Sequence, residues 1–447
     1  MPSPSRQTFR EVLQLRADLW RIPFALCVTT LLFFFVTVHI DRAAARGTVT
    51  LPPWISVGGV DDARAILGSM LGAVSTVLAL IFSVALLVLS MAVSHFGPRI
   101  LYRFVRDGIT QVTIGLFFGT FLHTLLGFVV TRSGPTREFV PQLTVMCSVA
   151  LVIVCFTFLI VFSHRIAMSI QTQNVVARIV ADLDGALAEL RDLLSGNSAL
   201  PATREAFAER DALAARCAAE GGVVQVPRTG FIQEIDIAHL LAEVERADVV
   251  VRLLYRPGQF VVENAALCQV FPKAKTADLI ATIRRDIKIG THRTLNQDVE
   301  FGMAQLVEIA LRALSSAIND VFTGLTCIDW LGDELRVFAA YVVERGGCRG
   351  ASGKIRVMWP PLRLARLVKT AFDQIRQVSV ANPAVSIRLL QTFARLAEQG
   401  ENPQLRQALS EQADAVWEAT SATALVKADR ADIEAAYRRA REALGAA

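Results

Sequence analysis

The chain has 447 residues, room for two or three domains at roughly 100–200 residues each. Hydrophobic residues make up 53%, charged residues 19%, and the mean hydropathy is +0.43. These values exclude a disordered chain, a coiled-coil rod and a small disulfide scaffold, and indicate a membrane protein with a sizeable soluble part. Residues 1–170 carry 13 Arg, no Lys and 7 acidic residues, so the net charge of +5 belongs to that part. The remainder has no basic excess of the kind nucleic acid requires.

Four apolar runs follow in chain order: Ile22–Ile40, Ala65–Val93, Ile109–Val130 and Leu143–Phe162. None contains Asp, Glu, Lys or Arg, and each is close to or above the ~20 residues that cross a hydrocarbon core. Ala43-Ala44-Ala45 after the first run suits a signal-peptidase site, but the run is longer than a signal peptide's apolar stretch and three more spans follow. Arg6, Arg10, Arg16, Arg21, Arg99, Arg103, Arg106, Arg165 and Arg178 fall on one side, against Arg42, Arg46, Arg64, Arg132 and Arg137 on the other. Positive residues favour the cytoplasmic side, so both termini and the whole C-terminal half are expected there, in a bacterial cytoplasmic (inner) membrane.

The second run carries Ser69, Thr76, Ser83 and Ser90 at a seven-residue spacing, with Gly68 and Gly72 at its start. Seven residues is nearly two helical turns, so the hydroxyls form one stripe. It lines a pore or packs helices; small residues and back-bonded hydroxyls favour packing. The third run repeats Gln111, Gly115, Gly119, His123 and Gly127 every four residues. An imidazole there is expected to face the protein interior or a water cavity. Either a neutral ring bonded between helices or an ion-linked role accounts for it.

Beyond the fourth run, 163–195 keeps helical periodicity as a connector and 202–219 is an Ala-rich charged helix. Short strands are predicted at Gly222–Pro227, Gly230–Asp236, Asp248–Arg256, Gln259–Val262 and Lys354–Met358. Helices are predicted at Ile237–Ala247, Thr276–Ile289, 298–318 and 321–345, with three or four more in 361–445. The expected fold is four transmembrane α-helices followed by a cytoplasmic α+β, helix-rich domain. The expected division is a transmembrane domain at 1–165, a helical connector at 166–220, a small β-containing module at 221–290 and a helical domain at 291–447.

Three stretches carry a likeness: FSVALLVLSMAVSHFGPRILYRFVRDGITQVTIG, then GFIQEIDIAHLLAEV with YRPGQFVVENAAL, then RTLNQDVEFGMAQLVEIALRALSSAINDVFTGLTCIDWL. Together they resemble the bacterial predicted membrane protein family called domain of unknown function 2254, over about 10 to 430 of the chain. That family tends to have Gln at His95 and Pro at Ser316 and Val321; Asn319-Asp320 is kept. The resemblance implies a layout and no activity. The segment GFIQEID with RPGQFVVENAAL also resembles barrel-sandwich modules of the lipoyl and biotinyl type. Such carriers need a lysine at the hairpin tip. Here the tip is Glu263-Asn264 and the nearest lysine is Lys273, so the resemblance implies a structural barrel-like module and no cofactor.

The predicted helix 298–318 carries a polar stripe, Gln305, Glu308, Arg312, Ser315 or Ser316, and Asn319, with Arg293, Asn296, Gln297 and Asp298 upstream and Asp320 after it. As a site it would bind a polar ligand or line an ion path. As structure, Glu308 and Arg312 form an i,i+4 pair, while Asn319 and Asp320 suit a helix end and an N-cap. No GxSxG, HExxH or P-loop sequence occurs, and the six His and seven Cys form no ligand-spaced set. Neither an enzyme nor a metal site is expected. The expected function is a homo-oligomeric channel or transport protein with a cytoplasmic regulatory domain, acting on a small ion or polar ligand. A membrane-anchored sensor or scaffold is the alternative.

Overall fold

The computed structural model describes residues 6–96, 108–131, 139–169, 172–195, 200, 203–341, 346–400 and 402–445. The loop arginines Arg99, Arg103, Arg106, Arg132 and Arg137 lie outside the described residues. Two compact units divide the chain, residues 1–174 and 175–447.

The N-terminal unit holds α1 (Arg6–Ala45), α2 (Val60–Phe96), α3 (Gly108–Val130) and α4 (Gln142–Ser169). Four segments in them are long and apolar enough to cross a membrane: Arg21–Ala45, Val60–Val88, Gly108–Val130 and Gln142–Ile166. Large apolar side chains such as Phe24, Leu32, Leu80, Leu86 and Ile160 point outward, as a lipid-facing surface requires. Helix α3 is central and packs against α1, α2 and α4. Its face of Gln111, Gly115, Gly119, His123 and Gly127 is entirely buried. A Cβ at Gly115 would stand 2.7 Å from the Pro23 backbone, so the missing side chain sets how closely α1 approaches α3.

The C-terminal unit opens with α5 (Thr172–Ser195) and α6 (Arg204–Glu220). A mixed region follows: β1 (Gly222–Gln225), β2 (Gly230–Ile235), α7 (Ile237–Arg246), β3 (Val250–Leu253), β4 (Phe260–Val261), β5 (Ala266–Phe271), α8 (Thr276–Asp286) and β6 (Ile287–Gly290). Then come α9 (Val299–Ala313), α10 (Val321–Tyr341), β7 (Gly347–Arg349) and β8 (Ile355–Met358). Four helices end the chain: α11 (Leu364–Val378), α12 (Pro383–Gln399), α13 (Pro403–Ser421) and α14 (Lys427–Leu444).

The expected barrel-like module is corrected here: there is no closed barrel among the described residues. One sheet has the order β1-β5-β3-β8-β7 and the other β4-β2-β6. The first grows sideways instead of closing, because β8 pairs parallel with β3 through Val251 and Val357. Those last two strands come from beyond residue 346, outside the module as the sequence delimits it. Ile232, Leu240, Val251, Leu267, Val270, Ile283 and Val357 fill one apolar core between the sheets and α7 and α8. At the hairpin tip Asn264 has φ +66°, a left-handed conformation that asparagine tolerates better than most residues.

The helical part has its own core. Phe372 and Phe393 are fully buried and meet edge to face at 5.0 Å, joining α11 to α12. Two Asn-Pro pairs start helices. Asn382 accepts a hydrogen bond from Val385 N–H, and Asn402 from Gln404 and Leu405 N–H. Proline at the first helical position needs no donor there.

Candidate functional site

The stripe Ser69, Thr76, Ser83 and Ser90 lies on the exposed surface of the N-terminal unit. Ser69 Oγ donates to Ile66 O at 2.8 Å and Thr76 Oγ1 to Gly72 O at 2.9 Å. These two hydroxyls are satisfied by their own helix.

The buried polar groups of this unit run elsewhere, between α1, α3 and α4. Asp41 is 3% exposed at the end of α1. Its carboxylate accepts from Leu143 N–H at 2.8 Å, Thr144 N–H at 3.0 Å and Thr144 Oγ1 at 2.7 Å, capping α4 from a neighbouring helix. Thr144 Oγ1 also lies 3.1 Å from Thr37 Oγ1. One turn on, Ser148 Oγ donates to Thr144 O at 2.9 Å and meets His123 Nδ1 at 3.0 Å. Thr120 Oγ1 then meets Cys155 Sγ at 3.2 Å.

His123 is fully buried, with Phe33 stacked on its ring and Phe34 edge-on, both with centroids 5.6 Å away. Because the Ser148 hydroxyl gives its hydrogen to Thr144 O, its oxygen is left to accept from Nδ1–H. In the neutral ring, Nε2 then carries the lone pair. It has no hydrogen-bond partner among the described residues. Nε2 therefore presents an unshared lone pair, and the ring is held by the Ser148 hydroxyl on the other side. Apart from His123 itself, sequence reasoning missed this seam. Its signal was present in Thr37 and Asp41 four apart on α1, and in Thr144, Ser148 and Cys155 at helical spacing on α4.

In the C-terminal unit the expected polar stripe does not form one cluster. Arg293 and Asp298 are brought together: Nε donates to Oδ2 at 2.7 Å and Nη2 to Oδ1 at 3.0 Å, while the guanidinium lies 4.9 Å from the Phe301 ring centre. Asp298 is also the N-cap of α9. Burial raises its carboxyl above the usual range, and the Arg293 contacts pull the other way. Gln297 clamps β2, accepting from Ile235 N–H at 3.0 Å and donating to Ile235 O at 3.2 Å. Glu308 and Arg312 pair at 3.2 Å along α9. Asn319 has φ +52°, and Asp320 accepts from Thr323 N–H at 3.1 Å at the start of α10. The turn therefore forms with Ser316 and Val321 in place of prolines.

Gly258 has φ +87°, and a Cβ there would run into the Asp298 carboxylate. The Arg-Pro-Gly-Gln turn is thus seated on the Asp298 end of α9, which joins the mixed region to the helical part. Glu334, 2% exposed on α10, is a further group that the sequence did not reveal. Its Oε2 has no hydrogen-bond partner among the described residues. Burial pushes its carboxyl up to about 8, with Asp184 and Asp333 adding to the rise and Arg336 opposing it. All seven cysteines are free, and no group of three potential metal ligands occurs among the described residues.

An uncharacterised protein of Mycobacterium bovis is 29% identical to this chain over 392 residues, 86% of this chain and 73% of that protein. Uncharacterised proteins of two Mycobacterium tuberculosis strains are 28% and 29% identical with the same coverage. No solved structure matches. The sequence profile described as "Predicted membrane protein (DUF2254)" matches residues 16–395. With four candidate spans and this match over most of its length, the chain belongs to that predicted membrane protein family of unknown function.

Proposed function

We propose that this protein is a transport protein of the bacterial cytoplasmic membrane, with both termini in the cytoplasm, and that protons enter or cross the bilayer interior along the seam around His123. The observation that carries this reading is the fully buried imidazole with an open Nε2, connected through Ser148 and Thr144 to Asp41. Ionisable groups inside a span are costly and mark proton or ion pathways. The seam replaces the stripe of the second span as the centre of the reading, because that stripe is on the outside of the unit. The arginine distribution supports the orientation.

The test is proton flux in liposomes containing the purified protein and a trapped pH dye, driven by a potassium diffusion potential. Flux above that of protein-free liposomes is expected. Flux equal to theirs removes the reading. The exposed hydroxyls of α2, with exposed Gly72 among them, favour a second copy as the partner of that face, since small residues let helices approach closely in lipid. A mass above that of one chain in mild detergent is expected, and a strictly monomeric particle contradicts it.

A further inference from the structure

A pocket of about 300 Å³ opens in the C-terminal unit, where the Arg-Pro-Gly-Gln turn meets α9 and α11, lined among others by Tyr255, Arg293, Glu300 and Arg366. Arg256 stands beside it, its side chain only 13% exposed. Three guanidiniums therefore converge on two carboxylates. Asp298 is occupied by Arg293 and by the cap of α9. Glu300 alone answers the other two: Arg366 Nε donates to its Oε1 at 2.6 Å, and Arg256 Nη2 lies 3.8 Å from Oε2.

The donor count leaves a surplus. Arg256 Nη1 donates to Pro361 O at 3.3 Å, but its Nε has no hydrogen-bond partner among the described residues. Nor have Nη1 of Arg293, either Nη of Arg366, or the Tyr255 hydroxyl. Burial pulls the Arg256 guanidinium below its ordinary pKa; Glu300 opposes this and Arg366 adds to it. Two like charges share one carboxylate in a partly enclosed space, which favours an added anion. Guanidinium forks match the oxygens of a phosphate group in geometry as well as charge.

We propose that this pocket binds a phosphate-class oxyanion through Arg293 and Arg366, with the charge of Arg256 beside it and Glu300 as the built-in competitor for Arg366. The proposal stands apart from the transport reading, because it uses no residue of the N-terminal unit.

The test is calorimetric titration of the full-length protein in mild detergent with inorganic phosphate at low ionic strength. Saturable one-site binding is expected. Arg366→Gln, at a side chain 59% exposed and so tolerant of change, should weaken binding about tenfold or more, the worth of one charge-assisted contact. Glu300→Gln should tighten binding, since it releases the Arg366 guanidinium. Arg438→Gln, on the exposed face of α14, should leave it unchanged. Competition by glycerol 3-phosphate would mark a phosphate ester as the source of the group, and its absence the free ion. Absence of saturable binding, an unaltered Arg366→Gln, or loss of binding in Glu300→Gln would each overturn the proposal.

Discussion

In the N-terminal unit Thr113, Thr124 and Thr131 are buried, and each donates its hydroxyl to the α3 carbonyl four residues back. The C-terminal unit buries such hydroxyls too, Thr420 donating to Val416 O at 2.8 Å, but it also buries several ions. Asp298 is held by Arg293, Arg356 by Asp248 at 2.7 Å, and Glu334 sits with an oxygen unpartnered among the described residues. The difference fits the proposed surroundings, lipid for the first unit and water for the second. A lipid-facing bundle has no water to satisfy a stray polar group, so hydroxyls that carry their own acceptor nearby are the tolerable kind. A unit in water can bury an ion if a partner comes with it. Asp41 is a buried carboxylate in the first unit as well, but its oxygens are taken up by α4; His123 and Glu334 each leave an atom without a partner among the described residues, and both are therefore informative.

The largest effect is expected where neither device operates. Phe393→Ala removes one ring of the α11–α12 contact and should cost about 3–5 kcal/mol, read as lost unfolding free energy in urea titration of the detergent-solubilised chain. A cost below about 1 kcal/mol would mean that this core collapses around the cavity.

Glu334 should set a pH dependence. Its folded pKa of about 8 lies above the ordinary 4.5, so the folded chain holds the proton more tightly than the unfolded chain does. The stabilisation is complete below the ordinary value and is lost as pH rises towards about 8, with a limiting slope of about 1.4 kcal/mol per pH unit. Glu334→Gln keeps the neutral form at every pH. Its melting midpoint should match wild type near pH 4 and exceed it at pH 8. Parallel curves would show that the carboxylate finds water or a counter-charge.

A smaller effect is expected at Gly115. Alanine there presses on the Pro23 backbone, which cannot rotate aside, at a cost of about 1–3 kcal/mol. Cys27 Sγ lies 3.9 Å from Gly115 O in the same contact, so its maleimide labelling should accelerate in Gly115→Ala. Unchanged labelling would separate the glycine from helix approach. Smallest of all is the part-exposed pair of Arg312 with Glu308, whose coupling in a double-mutant cycle should be only about 0.2–0.5 kcal/mol. A coupling above 1 kcal/mol would assign Arg312 a larger role.

Periodicity made the helices legible and left the sheets only partly so. The four spans and the four closing helices rest on local patterns of apolar residues. The sequence predicts a helix over Thr276–Ile289, whereas the strand β6 begins at Ile287, because Ile287 and Ile289 fit both periods over so short a run. The β3–β8 pairing joins residues over 100 positions apart, and no local pattern announces it. The seam was obscured for a related reason. Its members are scattered over three helices, whereas the stripe on α2 is conspicuous within one. Arg293 and Asp298 were visible as neighbours in sequence. Arg256, Glu300 and Arg366 required the fold to bring three elements together.

The most direct measurement compares proton flux through liposomes containing wild-type protein and His123→Phe. Phenylalanine keeps an aromatic ring between Phe33 and Phe34 and removes both nitrogens. Cys27 labelling at the wild-type rate would establish that the helices remain packed. Flux in the wild type that falls to the level of protein-free liposomes in the variant is the predicted result. Equal flux in both proteins would contradict the account, because protons would then cross without the one imidazole that the seam surrounds.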